Sequence, residues 1–156
     1  MATSEEAAQP AVRSRADRTA DTLERLSHDV DLWVASASED GRAYLVPLSY
    51  HWDGSTLTIA TPSASPTARN LIRAGWVRAA LGQTRDVVIV EGLVEAIQIG
   101  ADPALEDAHA RSTGFDPRTL EDEYVYLRIA PREIQAWRES NELEGRVLMR
   151  DGAWLE

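Results

Sequence analysis

The sequence contains no cysteine and no lysine. The absence of cysteine excludes disulfide-stabilised scaffolds, zinc ribbons, thiol catalysis and thiolate-bound iron–sulfur sites. All 16 basic residues are arginine, and they stand against 26 acidic residues, which gives a formal net charge of -10. A chain this acidic on average does not match a general binder of nucleic acid or of anionic membranes, although the average leaves local patches open.

Long hydrophobic runs and targeting signals are also missing. The longest apolar runs are short, as at 87–90, whereas a membrane-spanning helix needs roughly 20 apolar residues. The polar N-terminus carries Glu5 and Glu6, which fits neither a signal peptide nor a transit peptide. We therefore expect a cytoplasmic protein with a disordered tail at 1–14 and a single domain at 15–156, a length sufficient for one hydrophobic core.

Acidic residues are unevenly distributed. The 32 residues between Asp53 and Asp86 contain no acid but four arginines. One interpretation is a strand, a loop and a helix that happen to lack carboxylates, and the other is a binding site for an anion such as a phosphate. By contrast, the stretch 102–123 carries seven acids and is most simply a solvated helix and loop.

Periodicity predicts about six main strands and two or three short helices. Asp-Gly pairs at 40–41, 53–54 and 151–152 predict hairpin turns in which both residues take positive φ. The predicted helices are 16–27, 64–75 and 103–114, and the strands are 31–38, 43–52, 56–61, 76–81, 86–99, 123–129 and 134–138, with a last hairpin at 146–155. Gly92 is expected to form a bulge or bend. This order of elements predicts a mainly β fold, a small antiparallel barrel rather than a doubly wound sheet.

The start of the helix at 64–75 is a candidate anion site. Ser65 can cap the helix and Pro66 suits its first turn, while a helix N-terminus presents free N–H groups and the positive end of the macrodipole. The hydroxyl groups of Thr61, Ser63, Ser65 and Thr67 surround this end, with Arg69 one turn further on. A capped helix with a salt-bridging arginine is an equally simple explanation.

The same helix predicts a two-sided distribution of side chains. Ala68, Leu71 and Ile72 form the expected buried stripe, and Arg69 and Arg73 fall on the opposite face.

Pro47 interrupts the predicted strand 43–52. Proline has no N–H and cannot complete a central ladder, so this strand must be an edge, contain a bulge or face a ligand. A planar ligand could bond to exposed backbone beside Leu48 and Ser49, although an ordinary edge strand is equally common.

The sequence shows no evident catalytic nucleophile, base or metal site. His28, His51 and His109 have no shared spacing and do not form a metal signature. His51, beside Tyr50 and Trp52, could touch a ligand, but a half-buried structural histidine is the simpler interpretation. A chain with hydroxyls, arginines and aromatics but no nucleophile suits a protein whose chemistry is carried by a bound cofactor.

Several motifs, taken in order, resemble one known family. They are Asp-Gly-Arg at 40–42, Val-Pro-Leu at 46–48, Trp-Asp-Gly at 52–54, Thr-Ile-Ala-Thr at 58–61, Ser-x-x-Ala-Arg-Asn-Leu at 65–71, and Thr-Arg-Asp-Val-Val at 84–88 leading to Glu-Gly at 91–92. From about Leu26 to Trp154 the chain resembles the pyridoxamine 5′-phosphate oxidase-like, FMN-binding split-barrel family. The resemblance implies a Greek-key-like antiparallel split barrel that forms a homodimer, with FMN or the 5-deazaflavin coenzyme F-420 between the subunits.

The resemblance also implies which residues hold the cofactor. The residues implied near the phosphate are Thr61, Ser65, Thr67, Arg69 and Asn70, and those implied near the ring are Val46, Pro47, Leu48 and Ser49. Arg85 and Trp137 would come from the partner subunit. Many members have lysine where Thr67 stands, and true pyridoxamine phosphate oxidases end in an Arg-Leu-x-Pro-type tail that this sequence lacks, so we do not expect vitamin B6 oxidation.

The function implied is hydride transfer from FMN or the deazaflavin to a small organic acceptor, with no nucleic-acid or membrane partner. The alternative is a non-enzymatic or haem/tetrapyrrole-binding protein of the same fold, in which His51 or His28 would be the axial ligand.

Overall fold

The computed structural model describes residues 9–156. The helices are α1 (Arg15–His28), α2 (Pro66–Ala74) and α3 (Pro103–Thr113), and the strands are β1 (Asp31–Ala37), β2 (Ala43–Trp52), β3 (Leu57–Pro62), β4 (Trp76–Gln83), β5 (Asp86–Gln98), β6 (Tyr124–Trp137), β7 (Val147–Arg150) and β8 (Ala153–Trp154). The predicted helices and the strands up to β5 begin and end within two residues of these bounds.

Six of the strands close into an antiparallel barrel. Neighbouring strands follow the order β3-β2-β1-β4-β5-β6, and an additional pairing of β3 with β6 closes the ring. Because β4 lies beside β1 after the meander β1-β2-β3, the first four strands form a Greek key. Helix α2 is the connection that carries the chain across from β3 to β4. The predicted antiparallel barrel is thus confirmed.

The core fills the barrel with alternate side chains from its strands. Val34, Tyr50, Ile59, Val90 and Leu127 are each at most 1% exposed. A two-residue period places such side chains on one face of every strand. Val125, Leu127 and Ile129, alternate residues of β6, are buried in this core in the same way.

Strand β6 is continuous, so the prediction of two separate strands at 123–129 and 134–138, on either side of Pro131, is wrong. Glu91 pairs with Glu133 while the next residue, Gly92, pairs with Pro131, so Arg132 is left over as a bulge. A bulge relieves the missing N–H of proline without ending the strand. A Cβ on Gly92 would lie 2.4 Å from the carbonyl oxygen of Ala130, which explains the glycine and confirms the predicted irregularity there.

Only one of the Asp-Gly turns has the predicted geometry. Asp151 and Gly152 both take positive φ, at 53° and 79°, as a type I′ hairpin requires. At Asp40-Gly41 and Asp53-Gly54 only the glycine has positive φ, so the expectation for these two pairs is wrong. The Asp53 carboxylate instead accepts hydrogen bonds from the backbone N–H groups of Ser55 and Thr56, which lowers the pKa of Asp53 against the opposing effect of burial.

A buried ion pair fixes the start of α1 to the barrel. Of the predicted tail at 1–14, residues 1–8 lie outside the described residues, and residues 9–14 form no helix or strand. Arg13 donates from its backbone and guanidinium to Glu142 and also pairs with Asp21. The hydrogen bonds from Arg13 hold the pKa of Glu142 at about 2, although burial acts in the opposite direction.

No helix within residues 9–156 combines the length and apolar character needed to cross a membrane.

Candidate functional site

The sheet opens along the first half of β2. Residues 43–49 pair with β1, but the pairing of β2 with β3 is confined to residues 50–52. The N–H of Tyr50 donates to the carbonyl of Val30, so in the antiparallel alternation Pro47 falls in a non-hydrogen-bonded pair with Trp33. The nitrogen of Pro47 therefore faces the open side, where no strand of the described chain needs an N–H.

A cavity of about 260 Å³ lies beside this opening. The lining comes from β2, β3, α3 with the residue shortly after it, and the start of β6, and consists of Pro47, Leu48, Ser49, Ala60, Pro62, His109, Phe115 and Tyr124. No charged side chain is among these residues. Three of the four residues implied near a cofactor ring thus line one concave, mostly apolar space, which is the usual character of a small-molecule site. The fourth, Val46, packs partly buried against the core.

Helix α3 forms the outer wall of this cavity. Asp102 caps its N-terminus by accepting from the N–H of Leu105, and Gly114 ends it in the left-handed conformation. Leu105 packs with a second apolar cluster that includes Ile97 and Tyr126. Glu106 is 1% exposed and accepts from the N–H of Gly100. The expectation of a solvated helix is therefore wrong for the face of α3 that packs on the barrel.

His109 is the buried polar residue of this wall. It is 1% exposed, and neither ring nitrogen has a hydrogen-bond partner among the described residues. Burial lowers the pKa of His109 to about 4, and the nearby His51 acts in the same direction. The hydroxyl of Tyr126, whose ring meets that of His109, is also buried without a partner in residues 9–156. The backbone of Phe115 acts against this fall in pKa, so it lies near the ring although it makes no well-formed hydrogen bond with either nitrogen. At neutral pH the imidazole is uncharged.

The N-terminus of α2 lies at the end of β3, next to the cavity residues Ala60 and Pro62. Ser65 caps the helix by accepting from the N–H of Ala68, and its hydroxyl lies 3.1 Å from that of Thr61. No acidic residue occurs in the first turn. Arg69 is exposed, and its guanidinium donates to the carbonyl of Ala64.

The buried face of α2 differs from the predicted one. Ala68 and Leu71 are buried as expected, but Ile72 is 51% exposed, so its assignment to the buried stripe is wrong. Thr67 and Asn70 are buried instead. The amide of Asn70 donates to the hydroxyl of Ser36 on β1. Thr67 and Asn70, which the family resemblance implies near a phosphate, therefore face the barrel.

Arg85 and Trp137 lie away from the other predicted site residues. Trp137 pairs with Val87 at the beginning of β5, whereas the end of β5 pairs with the start of β6 near the cavity. Arg85, in the turn before β5, forms a two-pronged salt bridge with Glu139. Trp137 therefore lies at the opposite end of β6 from Tyr124, which pairs with Pro62 just before α2.

The two histidines considered for haem already have polar neighbours. The Nδ1 atom of His51 lies within hydrogen-bond distance of the hydroxyl of Ser112 on α3. His28 is exposed, with its Nδ1 atom near the carbonyl of Glu24.

Sequence reasoning missed His109, Phe115 and Tyr124 as cavity residues. All three belong to the acidic stretch 102–123 or directly follow it, and its many carboxylates concealed the apolar face. Leu105, Ala108 and His109 lie at helical spacing in the sequence, and this pattern is the signal that could have indicated a packed helix.

The closed Greek-key barrel, with a sheet opening beside a helix N-terminus, is a split β-barrel. The chain belongs to the pyridoxamine 5′-phosphate oxidase family, whose model matches residues 20–138. A search of curated proteins found no match.

Solved structures with different described ligands share this fold. One is an FMN-binding protein related to pyridoxamine 5′-phosphate oxidase from Nostoc punctiforme, with 16% identity, a TM-score of 0.54, and coverage of 81% of this chain and 84% of that one. An F420 reductase has 18% identity, a TM-score of 0.59, and coverage of 71% and 93%. A haem-binding protein from Mycobacterium smegmatis has 12% identity, a TM-score of 0.67, and coverage of 92% and 60%.

Some of these relatives are longer. The chain spans 60% of the haem-binding protein and 59% of Atu2129 from Agrobacterium tumefaciens, a protein of unknown function with 14% identity, a TM-score of 0.67 and 83% of this chain covered. At these identities the likeness establishes the fold.

Proposed function

We propose that the protein is a homodimeric oxidoreductase that binds FMN or the deazaflavin coenzyme F-420 and transfers hydride to a small organic acceptor. The observation that carries the proposal is the continuity of two features along β3. Ala60 and Pro62 line the apolar cavity, and Thr61 between them lies beside the cap of α2. A molecule with a planar ring and a phosphate could use both features at once.

The residues at the start of α2 fit a phosphate group. Pro66 has no N–H and the N–H of Ala68 is taken by Ser65, so the backbone offers few free donors. The remaining donors are the hydroxyls of Thr61 and Ser65 and the guanidinium of Arg69, which has nitrogens left after its bond to Ala64. Hydroxyls together with an arginine fork bind phosphate strongly, and no carboxylate in the first turn opposes it.

The cavity fits an uncharged planar ring. A bound flavin or deazaflavin supplies the hydride chemistry. Pro47 and Leu48 provide an apolar wall, and Phe115 and Tyr124 provide aromatic surface opposite the strand segment. Such residues orient a ring and exclude water from it.

A second subunit completes the proposed site. The outer face of the barrel carries Trp33 and Leu45, which are 49% and 59% exposed, and Trp33 lies between Pro47 and Ala80 in the sheet. An exposed apolar patch of this kind suits an interface between two copies of the chain. In the dimer, Arg85 and Trp137 of one subunit would approach the cofactor of the other.

Cofactor titration of paired arginine variants tests the phosphate site. Arg69 and Arg73 lie one turn apart on the exposed face of α2, and each donates to a backbone carbonyl, that of Ala64 or of Ala37. Because a charge-assisted contact contributes about 1.5–3 kcal/mol, Arg69→Ala should weaken FMN or F-420 binding roughly 10- to 150-fold, while Arg73→Ala changes it much less. If Arg69→Ala binds the cofactor with an affinity within threefold of wild type, the proposed phosphate site at the start of α2 is wrong.

Titration of the wild-type protein with FMN, F-420 and haem distinguishes a flavin or deazaflavin site from a haem site. The proposal predicts saturable quenching of flavin or deazaflavin fluorescence. A Soret band formed with haem, and abolished by substitution of His28, His51 or His109, would instead support the haem-binding alternative.

A further inference from the structure

A second cavity, which we call the arginine cavity, lies between the start of α1 and the two ends of β7. It has a volume of about 330 Å³, and its charged lining consists of Arg15, Arg146 and Arg150. Its apolar lining consists of Leu143, Val147 and Leu155. No acidic residue of the described chain lines it, although the whole sequence has 26 acidic residues against 16 arginines. The arginine cavity is therefore a local positive region on an acidic protein.

The three arginines of this cavity form no salt bridge within residues 9–156. Seven other arginines there do pair with aspartate or glutamate side chains. The acidic residues closest in sequence to the three arginines are exposed and lie outside the lining, namely Asp17, Glu144 and Asp151. Positive charges that share a cavity repel one another, so an anion bound between them would stabilise the arrangement.

The guanidinium of Arg146 is already held in position. Its Nε atom donates to Oε1 of Gln135 at 2.9 Å, and its Nη1 atom donates to the carbonyl of Leu143 at 3.2 Å. Its central carbon lies 5.9 Å from the ring centroid of Trp137, within the range of a cation–π contact. The Nη2 group remains for a ligand, and a group that is ordered beforehand loses little entropy on binding.

Arg15 and Arg150 reach the arginine cavity from elements far apart in the chain. Arg15 lies in the first turn of α1, and Arg150 is the last residue of β7. Arg15 donates from Nη1 to the backbone carbonyl of Glu156, which leaves its Nη2 group for a ligand. Because a helix and a strand carry these side chains, the site is built on regular elements of the fold.

We propose that the arginine cavity binds a small multivalent oxyanion, that is, a compact organic phosphate or polycarboxylate. Guanidinium groups match the oxygens of phosphate and carboxylate groups with two parallel hydrogen bonds. Three positive charges favour a multivalent anion over a monovalent one. The apolar lining suits the carbon atoms of such a ligand, and the volume of about 330 Å³ falls in the range of roughly 300–1,000 Å³ for small-molecule sites.

This site is separate from the proposed phosphate site within one subunit. Tyr124, the first residue of β6, pairs with Pro62 just before α2, whereas Trp137, beneath Arg146, is the last residue of β6. The inference therefore needs no bound flavin. In the proposed dimer, however, Trp137 approaches the partner's cofactor, so the experiment must also measure FMN affinity.

Calorimetric titration of the purified protein with pyrophosphate and with citrate, at constant ionic strength, tests the site. We expect saturable binding of at least one probe at one arginine cavity per subunit. Arg15→Ala and Arg150→Ala should each weaken that binding roughly tenfold or more, because each removes a charge-assisted contact. Arg111→Ala, which removes an exposed arginine of α3, is the matched control and should stay within threefold of wild type. All three variants should keep the Tm of wild type, since these side chains are exposed.

The two probes distinguish the two sources of the anion. Binding of pyrophosphate alone supports an organic phosphate, and binding of citrate alone supports a polycarboxylate. Saturable binding of neither probe to wild type would overturn the inference. An equal loss in Arg111→Ala and Arg15→Ala would overturn it too, because the attraction would then be general. Pyrophosphate binding that is lost in Arg69→Ala but kept in Arg15→Ala would also contradict it, because the probe would then occupy the start of α2.

FMN titration of the same variants separates this inference from the proposed function. Arg15→Ala and Arg150→Ala should bind FMN within threefold of wild type. A tenfold loss of FMN affinity in both would assign these arginines to the partner's cofactor and overturn a separate anion site. Pyrophosphate binding that depends on Arg15 and Arg150, in a protein that binds neither FMN nor F-420, would contradict the proposed function and leave the anion site standing.

Discussion

The ring of His109 meets the ring of Tyr126 edge-on, with centroids 5.4 Å apart and an interplanar angle of 79°. One residue lies on α3 and the other on β6, so the contact joins the cavity wall to the barrel. Burial raises the pKa of Tyr126 to about 12 and lowers that of His109 to about 4. Both side chains are therefore neutral at physiological pH, and the wall of the cavity carries polar atoms without charge.

The neutral state of His109 predicts a loss of stability in mild acid. An unfolded histidine takes up a proton near pH 6.5, whereas folded His109 stays neutral until about pH 4. The contribution of neutral His109 to the free energy of unfolding is therefore fully present above about pH 7 and is lost between pH 6.5 and 4. The free energy of unfolding should drop by about 2 kcal/mol on going from pH 7.5 to 5. Urea unfolding at several pH values measures this free energy. The variant His109→Leu should remove most of its dependence on pH.

His28→Leu serves as the control for this pH dependence, because His28 is exposed. If His109→Leu and wild type lose the same stability between pH 7.5 and 5, the burial of a neutral imidazole is wrong.

The ion pair between Arg13 and Glu142 predicts a second loss at lower pH. The pKa of Glu142 is lowered to about 2, so its contribution is complete above about pH 4.5 and lost as the pH falls toward 2. Glu142→Gln leaves Arg13, whose side chain is 11% exposed, without its main partner, and should cost about 3 kcal/mol at pH 7. In denaturant unfolding of this variant, the free energy of unfolding should depend less on pH below pH 4.5 than in wild type. Glu144→Gln, at an exposed position, should match wild type.

Two serine caps allow stability and binding to be separated. Ser14 caps α1 and Ser65 caps α2, each by accepting one backbone N–H. Replacing either by alanine should destabilise the fold by about 1 kcal/mol. Only Ser65→Ala should also weaken FMN or F-420 binding, since only that hydroxyl lies in the proposed phosphate site. Equal cofactor affinities in the two variants would argue against a role for Ser65.

The exposed outer face predicts that the proposed dimer depends on Leu45. Leu45→Asp places a charge in the proposed interface and should convert a dimer into a monomer, as measured by sedimentation equilibrium. Leu93 is similarly exposed, at 49%, but lies outside that patch, so Leu93→Asp should remain dimeric. A wild-type protein that is monomeric at micromolar concentration would contradict the proposed dimer.

The barrel could be predicted from the sequence because its signals are local. Alternation along β1 to β5, the cap at Ser65 and the glycine after α2 each act within a few residues. Pro47 likewise indicated the opening in the sheet, because a missing N–H is visible without tertiary structure.

The parts that could not be predicted depend on long-range packing. Pro131 looked like a strand boundary, yet a bulge opposite Gly92 lets β6 continue. Ile72 looked buried by periodicity, yet Thr67 and Asn70 take the inner face of α2 because that face packs against β1. The cavity wall at His109 was hidden because the acids of the stretch 102–123, most of them outside α3, dominate its composition, whereas the buried face of α3 contacts Tyr126.

Titration of the purified protein with FMN and with coenzyme F-420, followed by ligand fluorescence, is the most direct test of the central claim. We expect saturable binding of at least one of them, with one site per subunit and at least a tenfold loss of affinity in Arg69→Ala. Fluorescence of both ligands that stays unchanged up to an excess of folded protein would contradict it.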